Sequence, residues 1–240
     1  MPNRFTRVVL KVSGEALSGD AGTGVDPDAL DQMAQQILQV HDLGVQIGVV
    51  VGGGNYFRGR MADSWGIGRA EADNIGMLGT VMNALMLRGS LTGKSDADVR
   101  VMTAIPMQSI AEPFIRLRAV RHLKHGAIVI MAAGIGQPYV TTDYPSVQRA
   151  LELEADALLV AKRGVDGVYD KDPNVHTDAR RYRRFGYREA IDKGLEIMDT
   201  SAFVLAEEQK LVMHVFDVAG DGLMRRACLG EDVGTTITAD

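Results

Sequence analysis

Cysteine is almost missing from this chain of 240 residues, where Cys228 stands alone. One thiol excludes an internal disulfide framework and suits a reducing compartment. Charge of one sign is not in excess either: 26 Lys and Arg stand against 31 Asp and Glu, a net charge of −5 with no long run of either sign. That argues against a general nucleic-acid surface, while leaving single cations available for local phosphate pockets. No apolar run approaches the ~20 residues of a membrane span. The first one, inside MPNRFTRVVLKVSGEAL, is too short and too soon charged for a signal peptide. Internal repeats, low-complexity stretches and linkers are lacking as well, so one domain over residues 1–240 is the default. These absences favour a cytoplasmic protein without nucleic-acid or membrane partners.

What is present is a rhythm of short β-branched runs, glycine turns and amphipathic helices, in a chain that is 46% hydrophobic and long enough to bury a sizeable core. RVVLKVSG (7–14), VQIGVVV (45–51), VRVMT (99–103), AIVIMAAG (127–134), ALLVAK (157–162) and LVMHVFDV (211–218) read as strands. Asp26 and Pro27 form an N-cap and a favoured N1 proline, Leu30 to His41 repeat at helical spacing, and Gly44 supplies the stop. A helix rich in Met and small residues is expected over roughly Gly68 to Leu91. The polar segment from Lys162 to Tyr187 reads as a hairpin and loop. Near-continuous apolar strands alternating with helices predict an α/β protein, its mainly parallel sheet covered on both faces. Ligands of such sheets bind beyond the carboxyl ends of the strands, and the glycine clusters VSG, VVGGGN and MAAGIGQP fall there.

RGSLTGKSDAD carries the letters of a phosphate loop, TGKS over Thr92 to Ser95. A Walker A loop needs four residues between its first glycine and GK, with a strand before it. Gly89 is one residue too close and a Met-rich helix precedes, so the segment is expected to be a solvated loop and Lys94 receives no catalytic role.

Lys11 interrupts an apolar strand just before VSG. It is either a solvent-facing lysine on an edge strand or a cation at a strand end aimed at an anion. Ser13 and Gly14, a hydroxyl and an unencumbered amide, favour the second; alternation sends Leu10 and Val12 to the other face. In VVVGGGNYFRG the glycines serve a turn of positive φ or a close anion at a helix start. Arg58, one turn into the expected helix, reads as a fork for phosphate oxygens. Thr142 or Asp143 is a candidate N-cap, and Asp143 could also orient a lysine or a Mg²⁺ ion. Asp73 is ambiguous by itself, since an acid near a helix start suits the macrodipole.

Five spaced motifs, KVSGEAL, VVVGGGNYFRG, RAEAD followed by IGMLGTVMNAL, AAGIGQPYVTTD and GVDGVYDKDP, occur in the order found in the bacterial uridylate (UMP) kinase family of the amino acid kinase superfamily. Across nearly its whole length the chain resembles that family. The resemblance implies a three-layer α/β/α sandwich of amino acid kinase type. It also implies a homohexamer, phosphate transfer from ATP to UMP, GTP as activator and UTP as inhibitor. By matching positions, Lys11, Val12, Ser13 and Gly14 resemble the segment at the ATP phosphates, and Tyr169 and Asp172 the adenosine-binding positions. Gly53 resembles a UMP-contacting glycine, with Gly54 and Arg58 the neighbours shared with the phosphates. Asp73 is similar to the ribose-binding carboxylate. Ile135, Gly136, Gln137, Pro138, Tyr139, Val140, Thr141 and Thr142 resemble the UMP-binding loop, and Asp143 the carboxylate of the catalytic centre. Gly19, Asp20, Ala21, Gly22, Thr23 and Gly24 resemble the GTP effector region.

Two departures stand out. The family loop commonly reads GTGNPFFTTD, where Ile135 and Gln137 replace Thr and Asn. A family lysine before VDG aligns with Ala161, with Lys162 displaced by one, so Lys162 receives no firm role. The expected chemistry has Lys11, Arg58 and Asp143 serving transfer with Mg²⁺ on ATP, and no general base. A sister kinase acting on a carboxylate or carbamate, and a nucleotide-binding regulator without turnover, are the alternatives.

Overall fold

In the computed structural model, residues 3–173, 175–195 and 197–239 are described; the ends of the expected 1–240 domain and Asn174 of the polar segment lie outside them. Nine strands form one sheet: β1 (Arg7–Val12), β2 (Gln46–Val51), β3 (Val99–Thr103), β4 (Glu112–Pro113), β5 (Ile128–Ala132), β6 (Ala157–Lys162), β7 (Arg184–Gly186), β8 (Val212–Asp217) and β9 (Thr235–Thr238). Their order is β4-β3-β5-β2-β1-β6-β8-β9-β7, and every pairing is parallel except that of β8 with β9. The helices are α1 (Gly14–Leu17), α2 (Pro27–His41), α3 (Gly59–Trp65), α4 (Arg69–Lys94), α5 (Arg116–Lys124), α6 (Asp143–Glu152), α7 (Tyr187–Asp192), α8 (Thr200–Glu208) and α9 (Leu223–Cys228).

Strand alternation divides the interior in two. Val8, Leu10 and Val12 of β1 join Ile47, Val49 and Val51 of β2 in a core shared with α1, α2, α4 and α9. Val9, Val50 and Val160 point the other way, into a core shared with α5, α6, α7 and α8. The result is the expected three-layer sandwich. Helix α2 starts as its sequence dictates, with Asp26 Oδ1 accepting the Ala29 N–H at 2.8 Å and Pro27 in the first turn. The polar segment forms a short hairpin, closed by the antiparallel bridge between Tyr169 and Arg181.

Three expectations require correction. Helix α4 runs to Lys94, so Thr92, Gly93 and Lys94 are its last turn and not a solvated loop; Lys94 ion-pairs with Asp31. No helix starts at the glycines after β2: residues 54–56 form a turn, and α3 begins only at Gly59. Arg58 therefore precedes a helix. Finally, none of Gly52, Gly53 and Gly54 has positive φ. A β-carbon on Gly53 would strike the Gly76 carbonyl and the Thr80 amide of α4, so close packing demands that glycine.

Chain order places the site. β1 lies between β2 and β6, so Lys11 is on a central strand and the edge-strand reading is excluded. From β1 the chain adds β2 beside it, places β3 and β4 further out, inserts β5 between β2 and β3, and then crosses to place β6 on the other flank of β1. The carboxyl ends of β5, β2, β1 and β6 consequently lie side by side, at the switch point where such sheets bind ligands.

Candidate active site

Lys11 pairs in register with Val50 and Val160, whose side chains face the core beneath α6. Its ammonium group thus emerges on the α6 side, where Asp143 is the first residue of that helix. Lys11 Nζ lies 2.9 Å from Asp143 Oδ1, with the two side chains 9% and 18% exposed. The other oxygen, Asp143 Oδ2, accepts the backbone N–H of Asp199 at 3.0 Å. Neither Thr142 nor Asp143 caps α6 through its side chain, although Thr142 holds the N-cap position. The capping reading of Asp143 gives way to a carboxylate that orients the lysine.

Around this pair the glycine segments close in. Ser13 is the N-cap of α1 and its Oγ accepts the Ala16 N–H at 3.2 Å. Val12 buries its side chain in the opposite core, so only its backbone reaches the site, where its carbonyl accepts the Gly52 N–H at 2.8 Å. A β-carbon on Gly14 would collide with Asn55. Gly54 is different, because a β-carbon there would meet nothing within 4 Å. Its bare backbone faces open space. Arg58 Nε donates to the Gly54 carbonyl at 3.2 Å, and Arg58 Nη2 lies 2.6 Å from Glu15 Oε1. Glu15 was not singled out in the sequence, although it stands in KVSGEAL.

Three cavities meet here. The first, about 370 Å³, is lined by Gly53, Gly54, Arg58 and Asp73 on one side and by Ile135, Gln137 and Val140 to Thr142 on the other. Gly136, Pro138 and Tyr139 belong to the same loop without forming this wall. Asp73 receives Arg69 Nε on both oxygens, at 3.0 and 2.9 Å, and the Tyr139 N–H on Oδ2 at 2.7 Å. The second cavity, about 430 Å³, is lined by Lys162, Tyr169, Lys171 and Asp172. Between them a third space, about 670 Å³, holds Asp143, Lys162 and Asp199. Thr142 borders the first and Lys162 borders the second, so the Lys11–Asp143 pair stands between two nucleotide-sized spaces.

Two residues given no firm role in the sequence belong to this centre. Lys162 Nζ donates to the Ile197 carbonyl at 2.8 Å. Burial, and then the neighbouring Lys11 charge, lower its pKa, opposed by Asp143 and Glu15. A lysine held this way gains from an anion beside it. Asp199 accepts the Thr141 hydroxyl at 2.5 Å and gives its N–H to Asp143. Nothing local in IMDTSAF marks it; Asp199 holds the N-cap position of α8 and reaches Asp143 only because α8 packs beside α6.

The segment of residues 19–24 forms a short 3₁₀ turn at Gly19–Ala21, followed by left-handed Gly22 and Gly24. Residues 21–24 border a cavity of about 490 Å³ that also touches Gly54 and Arg58. Asp20 pairs with Arg163 at 3.0 Å. Among the described residues, no three His, Cys, Asp or Glu side chains come together as a metal cluster, and no helix is long and apolar enough to cross a membrane.

A mainly parallel sheet whose central strand carries a buried lysine paired with Asp143, beside glycine backbone and neighbouring cavities, defines a phosphoryl-transfer protein of the amino acid kinase class. The sequence profile of the amino acid kinase family matches residues 6–217, and the chain belongs to that family. Within it the similarity is to uridylate kinases. The uridylate kinase of Frankia alni is 55% identical over 98% of this chain and 91% of its own. The crystal structure of UMP kinase from Bacillus anthracis superposes with a TM-score of 0.96 at 52% identity, covering 98% of this chain and 97% of that one. UMP kinase from Ureaplasma parvum gives 0.91 at 29% identity, covering 98% and 99%.

Proposed function

We propose that this chain transfers the γ-phosphate of ATP to UMP, giving UDP, as its uridylate kinase relatives are named for doing. The observation that carries the reading is the buried Lys11–Asp143 pair between two cavities, with the side-chain-free Gly54 lining the first of them. UMP takes the cavity of Gly53, Arg58 and Asp73, with the loop Ile135–Thr142 over it. ATP takes the cavity of Tyr169 and Asp172, its phosphates reaching Lys11 to Gly14, Gly54 and Lys162.

Phosphoryl transfer needs positioning and charge stabilisation more than covalent work. Lys11 offsets charge on the migrating group, in a site where little water competes. Arg58 leaves Glu15 for the UMP phosphate, exchanging one anion for another. Asp73 serves the ribose hydroxyls. No general base is required, since a phosphate monoester is largely ionised near neutral pH, and Asp143 holds Lys11 in place instead of taking a proton.

The residues fit a Mg²⁺ ion that comes with ATP. Such an ion keeps several waters and takes one or two carboxylates besides substrate phosphates, and Asp143 and Asp199 are the two that would hold it. Asp143 accepts one contact on each oxygen and retains acceptor capacity. The ion would supply charge neutralisation on the phosphate oxygens.

We also infer a cytoplasmic homohexamer. The exposed Leu78, Met82 and Met86 on α4 support association between copies. The cavity beside Gly22 to Gly24 is consistent with a GTP effector role for residues 19–24, whereas UTP inhibition rests on the family resemblance alone. The test is ATP-dependent turnover of UMP, CMP, dUMP and acetylglutamate with Mg²⁺ present. UMP should be strongly preferred. Equal rates with CMP, or fast phosphorylation of acetylglutamate, would overturn the assignment.

A further inference from the structure

Arg149 sits in α6 with its side chain only 7% exposed, yet it lines none of the three cavities at the site. A buried guanidinium is costly unless its donors are used, so its contacts are informative. Nη1 donates to Glu152 Oε2 at 2.5 Å, one turn along the same helix. Nη2 donates to the Gly134 carbonyl at 3.0 Å. The group lies over the Phe114 ring, its Cζ 3.7 Å from the centroid. Nε is buried without a hydrogen-bond partner among the described residues, so the fork is used at its two ends.

Gly134 is where the loop over the first cavity leaves β5. Both it and Ala133 are left-handed, at φ 55 and 60. For alanine this is a strained state that persists only when surrounding contacts over-determine it. The contacts are visible. Thr80 Oγ1 of α4 accepts the Ala133 N–H at 2.7 Å, the Ala133 carbonyl accepts the Gly136 N–H at 2.8 Å, and Arg149 holds the next carbonyl. The loop then runs through Ile135 to Thr142 and enters α6 at Asp143, so Arg149 ties the start of the loop to the helix that receives its end.

We propose that Arg149 is a positioning residue for the acceptor nucleotide. It pins the left-handed Ala133–Gly134 turn to α6, and so sets the loop Ile135–Thr142 relative to the Lys11–Asp143 pair. The proposal rests on the reading of that cavity as the UMP site. Lysine cannot replace this arginine, because a point charge lacks the planar fork that bonds Gly134 and Glu152 while stacking on Phe114.

Arg149→Lys and Phe114→Leu, made in the full chain, test this by steady-state kinetics and by hydrogen exchange without ligands. Arg149→Lys should raise KM for UMP tenfold or more while KM for ATP stays within twofold. Phe114→Leu keeps the fork and removes the stack, and should raise KM for UMP by a smaller factor; it carries the test if Arg149→Lys does not fold. Backbone amides of residues 135–137, 139 and 140 should exchange at least tenfold faster in Arg149→Lys, with residues 12–14 unchanged. Equal shifts in both KM values, or a lowered Tm with KM for UMP and loop exchange unchanged, would mean that Arg149 only packs α6. If the wild type turns over no UMP while the exchange pattern holds, the loop is positioned as stated and the acceptor assignment is what fails.

Discussion

Replacing Lys11 by Met keeps the apolar stem and deletes the charge, which separates catalysis from stability. The Lys11 Nζ to Asp143 Oδ1 distance is 2.9 Å between largely buried side chains. Removing one partner of such a pair costs roughly 3–5 kcal/mol, because the other charge stays buried. Asp143 keeps the Asp199 N–H and some solvent, which places the expected loss at about 3 kcal/mol, the low end of that range. Turnover should fall further than stability explains. Losing one preorganised donor from the transition state is worth about 2.7–4 kcal/mol, a factor of roughly a hundred to a thousand. In the double variant Lys11→Met/Asp143→Asn no charge is left uncompensated, so stability should return most of the way while activity stays low. Urea unfolding and turnover at saturating ATP and UMP measure the two quantities. Lys94→Met is the control: its pair with Asp31 is half exposed at the end of α4, and its stability and activity should stay within about 0.5 kcal/mol of wild type. A Lys11→Met enzyme within threefold of wild type, or a double variant with restored activity, would show that the pair is structural only.

Asp73→Ala should weaken UMP binding by roughly 1.5–3 kcal/mol, the worth of a charge-assisted hydrogen bond, and leave ATP affinity nearly unchanged. Titration calorimetry reads both, and unchanged UMP affinity would return Asp73 to holding Arg69 and the Tyr139 N–H. His214, buried between β8 and β9 with Nδ1 3.0 Å from Thr236 Oγ1, has its pKa pushed down to about 4, chiefly by burial. The folded state resists protonation that the unfolded state accepts, so stability is full above pH 6.5 and falls as pH drops toward 4. The loss from this residue is up to about 3 kcal/mol. Denaturation midpoints at pH 7 and 4.5 should differ less in His214→Leu, and an equal difference would place the acid sensitivity elsewhere.

The glycines after β2 were seen, but their reason was not. Gly53 is bare because α4 passes against it, and Gly54 because it faces a cavity; the letters of GGG cannot tell these apart. The extra turn of α4 through Lys94 was missed because Gly93 and the acidic SDAD suggest a loop locally, while the Asp31 pair that accompanies the last turn comes from α2. Arg58 was placed inside a helix since turns and helix starts share glycine and asparagine. Conversely, the Asp26 cap and the apolar strands were legible because each depends on neighbours within a few residues.

The alternation of strands and helices, the two-sided burial of the central strands and the glycine-rich ends where a phosphate could approach are all legible in the order of residues alone. Those features follow from local periodicity and backbone sterics, which a linear string records. It takes the folded chain to show that Lys11 lies on a central strand, that its partner is Asp143, that Asp199 and Lys162 join them, and that Arg149 bonds the Gly134 carbonyl. Each of these depends on strand order and register. The order β5-β2-β1-β6 brings four distant strand ends together, and the face on which Lys11 emerges is the one α6 covers. Charges so far apart in the chain act on one another only after that sheet has closed the distance.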